Sequence, residues 1–125
     1  MSTNENQPVI PGAISAPVDM ARLLDLTDGE TEPLRELVEM YFLQTGQQLD
    51  VIAAAISAGQ TESVRREAHS SGGASATMGI TRLARLLLEL ENQGKSGCLT
   101  TAAAVCAEAR VELLRARDFL ARELR

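Results

Sequence analysis

Apolar residues return at three- and four-residue steps along most of this chain, the period of helices that bury one face. The longest such run joins Leu34, Leu37, Val38, Tyr41, Phe42, Thr45, Leu49, Ile52 and Ile56 into one wide stripe. Thr31 is its expected N-cap, Glu32 and Pro33 suit a first helical turn, and Ala58-Gly59 reads as a glycine-type C-terminal stop. Gly46 interrupts that stripe with no reason visible in the sequence. Before it, Val18 to Leu26 predicts a short helix across the end of a bundle, closed by Thr27-Asp28-Gly29. After it, Thr61 is the expected cap of a third helix. That helix buries Val64, Ala68, Ser71, Ser75 and Met78, a thin and partly polar stripe that stops at Gly79-Ile80. Thr81 is then expected to cap a fourth, with Leu83, Leu86, Leu87 and Leu90 on one side and Arg82, Arg85 and Glu89 on the other. Its expected end is Asn92-Gln93-Gly94, with Lys95-Ser96-Gly97 as a loop. The last helix, from about Leu99, carries Leu99, Ala102, Cys106, Ala109, Leu113, Ala116 and Leu120 inward, leaving Glu108, Arg110, Glu112, Arg115 and Arg117 to solvent.

No alternating run or hairpin turn accompanies these helices. The predicted fold is therefore all-α, an antiparallel up-down four-helix bundle with a short N-terminal lid helix. The bundle domain spans residues 18–125. Residues 1–17, with Pro8, Pro11, Gly12 and Pro17 in a polar run, read as a mobile tail. A chain of 125 residues can build one core without disulfides or metals. With one tyrosine, two phenylalanines and no tryptophan, that core must be aliphatic, which favours close helix packing. A formal net charge of −5 and one lysine, Lys95, exclude the clustered cations of a nucleic-acid binder. Cys98 and Cys106 form no C-x-x-C pair, and one histidine cannot complete a zinc set with them, so they read as small apolar fillers and no metal is expected. There is no signal-peptide pattern and no apolar stretch of membrane-spanning length, so a cytoplasmic protein without membrane contact is expected.

One stretch resists explanation by packing: Ala68-His69-Ser70-Ser71-Gly72-Gly73-Ala74-Ser75-Ala76-Thr77-Met78-Gly79. It holds the sole histidine of the chain among small residues, and each interior glycine costs a helix roughly 1 kcal/mol relative to alanine. His69 follows Ala68, a stripe residue, so its ring points sideways or out. Gly72, Gly73 and Ala76 share its face downstream, and Arg65 and Arg66 lie one turn upstream. An accessible imidazole on a bare helix, with guanidinium groups nearby to offset negative charge, suits a nucleophile for a phosphoryl group. No second titratable group is evidently placed as its base, and there is neither a glycine-rich phosphate loop nor a metal cluster. A partner's active site must then complete the chemistry, and no cofactor is expected here.

Ala68-His69-x-x-x-Gly73 followed by Met78-Gly79, in the helix after Gly59, resembles the histidine phosphotransfer domains of bacterial phosphorelays, which read roughly A-H-x-L-K-G-x-x-x-x-L-G. Phe42 in the preceding stripe, and Leu83, Leu86, Leu90 and Glu91 in the following helix, agree with that family, and the resemblance covers about residues 18 to 125. It implies a monomeric four-helix bundle, not itself an enzyme. His69 would accept a phosphoryl group from a receiver-domain aspartate or a histidine kinase and pass it to another receiver, which supplies Mg²⁺ and the remaining catalytic groups. Gly73 matches the glycine over which the receiver packs. The chain departs from the pattern where Gly72 replaces the family lysine and Ser71 the leucine, which leaves Arg65 and Arg66 as the expected phosphate stabilisers. Two other classes fit the residues: a docking module for a receiver or kinase whose histidine is not phosphorylated, and a helical interaction protein unrelated to phosphorelay.

Overall fold

The hydrophobic stripes close on one another in a computed structural model that describes residues 16–124. Five helices follow in order: α1 Met20–Asp25, α2 Thr31–Ala58, α3 Thr61–Thr77, α4 Thr81–Ser96 and α5 Ala102–Glu123. The cross-helix contacts show that α2 to α5 alternate in direction. Tyr41 and Gln48 of α2 meet Ser75 and Ser70 of α3, and Arg35 and Asp50 of α2 meet Leu124, just past α5, and Arg110. Arg82 and Gln93, on α4, meet Glu112 and Thr101 in the same reversed order. Each helix packs on its two neighbours to form an antiparallel four-helix bundle, with no strand among the described residues.

The core is aliphatic. Leu23, Leu34, Leu49, Ile52, Val64, Leu83, Leu87, Leu90 and Leu120 are buried together with small residues such as Ala68, Ala109 and Ala116. The thin stripe of α3 is inside throughout: Val64, Ala68, Ser71, Ser75 and Met78 are all buried. Its serines are satisfied locally, Ser71 Oγ donating to the Glu67 carbonyl (2.7 Å) and Ser75 Oγ to the Ser71 carbonyl (2.8 Å). Tyr41 adds a cross-helix bond, its hydroxyl 2.6 Å from Ser75 Oγ, which answers the requirement that a buried hydroxyl be paired.

The short lid helix α1 lies over the α3–α4 turn. The Asp19 amide donates to the Gly79 carbonyl (2.8 Å), and Arg22 Nη1 donates to the Ala76 carbonyl (3.0 Å). Gly79 has φ +77°, and a Cβ there would lie 2.9 Å from the Asp19 carbonyl oxygen, so both the turn and the seating of α1 depend on glycine. Of the tail expected over residues 1–17, residues 1–15 lie outside the described segment, and Pro17 and Val18 are buried.

The structure moves several boundaries. Thr31, Thr61 and Thr81 are first helical residues rather than caps. Glu30, Gln60 and Ile80 take the cap position without side-chain bonds, and the Gln60 and Ile80 carbonyls accept the first helical bonds from Val64 and Ala84. Asp19, not Val18, opens α1, its Oδ1 accepting from the Arg22 amide. The expected end of α4 at Gly94 is overturned: Gly94 is buried inside the helix, which runs on to Ser96 and closes at Gly97 in the left-handed conformation, φ 76°. Gly94 is there for proximity. A Cβ on it would stand 2.6 Å from the Arg65 amide nitrogen and 2.8 Å from the Thr61 carbonyl oxygen, so α3 and α4 nearly touch at this crossing. Glu112, expected in solvent, is buried with its carboxylate held by Arg115 (2.9 Å) and approached by Arg82 of α4 (3.6 Å). The last helix begins at Ala102, three residues later than expected. Cys98 is thus exposed in the loop before it, while Cys106 is buried.

Candidate functional site

The α3–α4 pairing decides what surrounds His69. Ala68 and Ser71 point into the core and rotate the intervening His69 outward, leaving its side chain 71 % exposed. From α4, Glu91 reaches across the seam until its Oε2 lies 3.0 Å from His69 Nδ1. A carboxylate only accepts hydrogen bonds, so the proton sits on Nδ1 and Nε2 carries a free lone pair facing solvent. The Glu91 side chain is only 12 % exposed, which fixes the carboxylate more firmly than the imidazole it orients. Lys95, one turn further along α4, brings its Nζ within 3.8 Å of the same Glu91 oxygen.

The side chains expected from the sequence are distributed as follows. Gly72, Gly73 and Ala76 lie beside His69 in one shallow trough of about 440 Å³. The two glycines differ. A Cβ on Gly72 would face α4 and meet Leu87 Cβ at 3.4 Å, whereas one on Gly73 would meet nothing within 4 Å. Gly72 is therefore turned to the seam, and Gly73 is bare to the outside. Arg65 is engaged on its own helix, donating to both carboxylate oxygens of Glu62 at 2.8 and 2.5 Å and holding that carboxyl below the usual range. Glu91 adds a further attraction on the Arg65 guanidinium. Arg66 Nη2 donates to Ser63 Oγ (3.5 Å) on the preceding turn. Neither arginine lines the trough.

Two arginines outside the expected set do line it: Arg22, delivered by α1, and Arg85 of α4, with Leu88 standing 52 % exposed between Arg85 and Glu91 along the α4 wall. Glu91 is the partner that the sequence did not reveal. It follows a buried leucine on a helix 22 residues away, and only the register between antiparallel helices places it on the imidazole. The usable signal was that α4 presents Glu91 and Lys95 four residues apart on one face, opposite the upstream turn of α3. No group of three or more potential metal ligands occurs among the described residues, and no helix among them is long and apolar enough to cross a membrane.

Known proteins resemble this chain in sequence and fold. The family model for the Hpt domain matches residues 36–121. The crystal structure of histidine-containing phosphotransfer protein B (HptB) from Pseudomonas aeruginosa PAO1 superposes with a TM-score of 0.81 at 30% sequence identity, covering 88% of this chain and 96% of that one. No curated protein sequence matches the chain. An all-helical bundle, a single exposed histidine over a glycine-bare strip, and a family match that spans α3 and α4 lead to one conclusion: this chain belongs to the histidine phosphotransfer (Hpt) domain family.

Proposed function

We propose that this Hpt domain works as a phosphorelay intermediate in which His69 Nε2 is the phosphoacceptor. The observation that supports the assignment is the Glu91 contact, because a carboxylate beside Nδ1 favours the Nδ1–H tautomer and leaves the Nε2 lone pair for attack. In the forward step the Nε2 lone pair attacks phosphorus, the N–P bond forms, and the P–O bond to the donor aspartate breaks with its electron pair returning to that carboxylate. No proton has to leave: Nδ1 keeps its hydrogen, and the positive charge that appears on the ring is balanced by the Glu91 carboxylate 3.0 Å away. The reverse step restores the neutral imidazole. The chain thus provides nucleophile, tautomer and access, while a receiver domain or histidine kinase provides Mg²⁺ and the groups that stabilise the transferring phosphoryl.

Gly73, with Gly72 and Ala76, forms the surface on which the receiver seats, since no described residue comes within 4 Å of the place a Gly73 side chain would begin. Arg65 is a weaker phosphate stabiliser than its sequence position implies, because Glu62 already holds both arms of its guanidinium, and Arg66 is directed to Ser63. In this reading the protein acts as a cytoplasmic monomer between receiver and kinase, without nucleic acid.

The test is to label the purified protein with phosphoramidate and with a phosphorylated receiver. An acid-labile, base-stable label that disappears in His69→Gln is expected; a label that survives that substitution refutes the assignment. Receiver binding without any label would instead identify a non-phosphorylated docking module.

A further inference from the structure

The site lacks a cation where one is needed. A phosphoryl group on His69 Nε2 adds close to two negative charges beside the carboxylate of Glu91, and the glycine at position 72 offers no side chain to offset them. Arg22 and Arg85 line the trough and Arg65 and Lys95 stand near Glu91 outside it, and three of these four cations are held away from the ring. Arg65 is clamped by Glu62, Arg22 is tethered to the Ala76 carbonyl, seven residues from His69 or roughly 10 Å along α3, and Arg85 lies six residues before Glu91 on α4, roughly 9 Å along the axis. Lys95 is different. Its Nζ already stands 3.8 Å from the oxygen that orients the imidazole, too long for a charge-assisted hydrogen bond, and its side chain is 59 % exposed on a flexible four-carbon stem.

Resting on the phosphoacceptor reading above, we propose that Lys95, the sole lysine of the chain, is the phosphoryl-binding cation of this site, reaching from α4 past Glu91 toward the His69 ring. In the unmodified protein Lys95 is parked against Glu91. Phosphorylation makes the phosphoryl oxygens the stronger attraction, and the ammonium swings across the carboxylate to meet them. Glu91 then keeps the Nδ1 proton while Lys95 takes the new charge. No bond is made or broken in this movement; it exchanges one loose ion pair for another that carries more charge.

The experiment is a phosphorus NMR titration of phosphoramidate-labelled protein, following the second ionisation of the phosphoryl group. A cation beside the group favours the dianion and lowers its midpoint. Lys95→Gln should raise the midpoint by roughly half a pH unit to one pH unit, a range reduced from that of a buried pair because the site is exposed. Lys95→Arg should restore it, and Arg85→Gln and Arg22→Gln should leave it in place. High salt should erase the difference between wild type and Lys95→Gln. An unmoved midpoint in Lys95→Gln, or one that moves only in Arg85→Gln, overturns the proposal while leaving phosphorylation of His69 intact. A wild-type protein that takes no label on His69 overturns the phosphoacceptor reading itself.

Discussion

Gly94→Ala offers the sharpest test of how the site is held together. The added methyl would stand 2.6 Å from the Arg65 amide nitrogen, 2.8 Å from the Thr61 carbonyl oxygen and 2.9 Å from Arg65 Cα. All three are backbone atoms, so no side-chain rotation relieves the overlap. Ordinary carbon contacts begin near 3.5 Å, and α3 and α4 must therefore part by about 1 Å at the crossing. Overpacking of this kind costs about 1–3 kcal/mol, against a gain of at most about 1 kcal/mol from replacing a helical glycine. The net expectation is a loss of up to about 2 kcal/mol, or a fall in Tm of up to roughly 10 °C for a domain of this size. Thermal and urea unfolding followed by circular dichroism measure it. Gly46→Ala is the matched control: a Cβ there meets nothing within 4 Å, so the same mutation type should add about 1 kcal/mol in mid-α2. A site-level effect accompanies the first. Glu91 lies one turn before Gly94, so parting the helices draws its carboxylate from His69. The ring nitrogen signals of the sole histidine should move toward a tautomer mixture. A Gly94→Ala protein as stable as wild type, with an unchanged tautomer, would refute the close-crossing account.

Three further outcomes are expected. Gly73→Phe should keep the helical content and phosphoramidate labelling but slow transfer from a phosphorylated receiver by about ten-fold or more, since its side chain enters only the space the receiver needs. Glu91→Gln should slow labelling of His69 about ten-fold, the scale on which orienting partners act, without lowering Tm by more than a few degrees. Tyr41 titrates above its ordinary value of 10.0 because burial disfavours the phenolate, an effect the Ser75 hydroxyl partly offsets. A group raised on folding contributes stability that is complete below its unfolded pKa and lost as pH climbs through the folded one. The protein should therefore weaken from about pH 10 upward, in step with phenolate absorbance from its single tyrosine, and Tyr41→Phe should remove the part that follows the phenolate, leaving the share of the buried Cys106 thiol, while costing about 1 kcal/mol at neutral pH.

The period of the helices was readable because burial sorts side chains every 3.6 residues whatever the partner. Even the polar stripe of α3 was placed correctly, since Ser71 and Ser75 can satisfy themselves on the preceding turn. What escaped depends on a second helix. Gly94 and Gly97 are the same letter three residues apart, one needed for a backbone crossing and one for a left-handed turn, and only the approach of Arg65 separates them. Glu112 looked solvated because its local neighbours are charged, yet Arg82 arrives from α4 to complete its burial. His69 stood out because its own helix is empty around it. Glu91 did not, because a glutamate after a buried leucine is ordinary until the register of two antiparallel helices is known.

That contrast separates the two glycines that mark the site. In α3 each of Gly72 and Gly73 gives up about 1 kcal/mol of helix propensity, and the neighbouring helix compensates by burying Leu83, Leu87 and Leu90 completely along the seam. Gly72 belongs to that seam: its missing side chain lies over Leu87, and an alanine there would fit at ordinary contact distance. The internal need for Gly72 is slight, and what the position lacks is charge, the role proposed above for Lys95 from the other side of Glu91. Gly73 has no internal need at all. A side chain on it would project into open space beside the imidazole, raising helix propensity at no packing cost. A position where the folded chain would gain from a substitution, and which nevertheless stays bare beside the exposed His69, is what the proposed receiver-docking surface requires, because that surface needs the space a Gly73 side chain would fill.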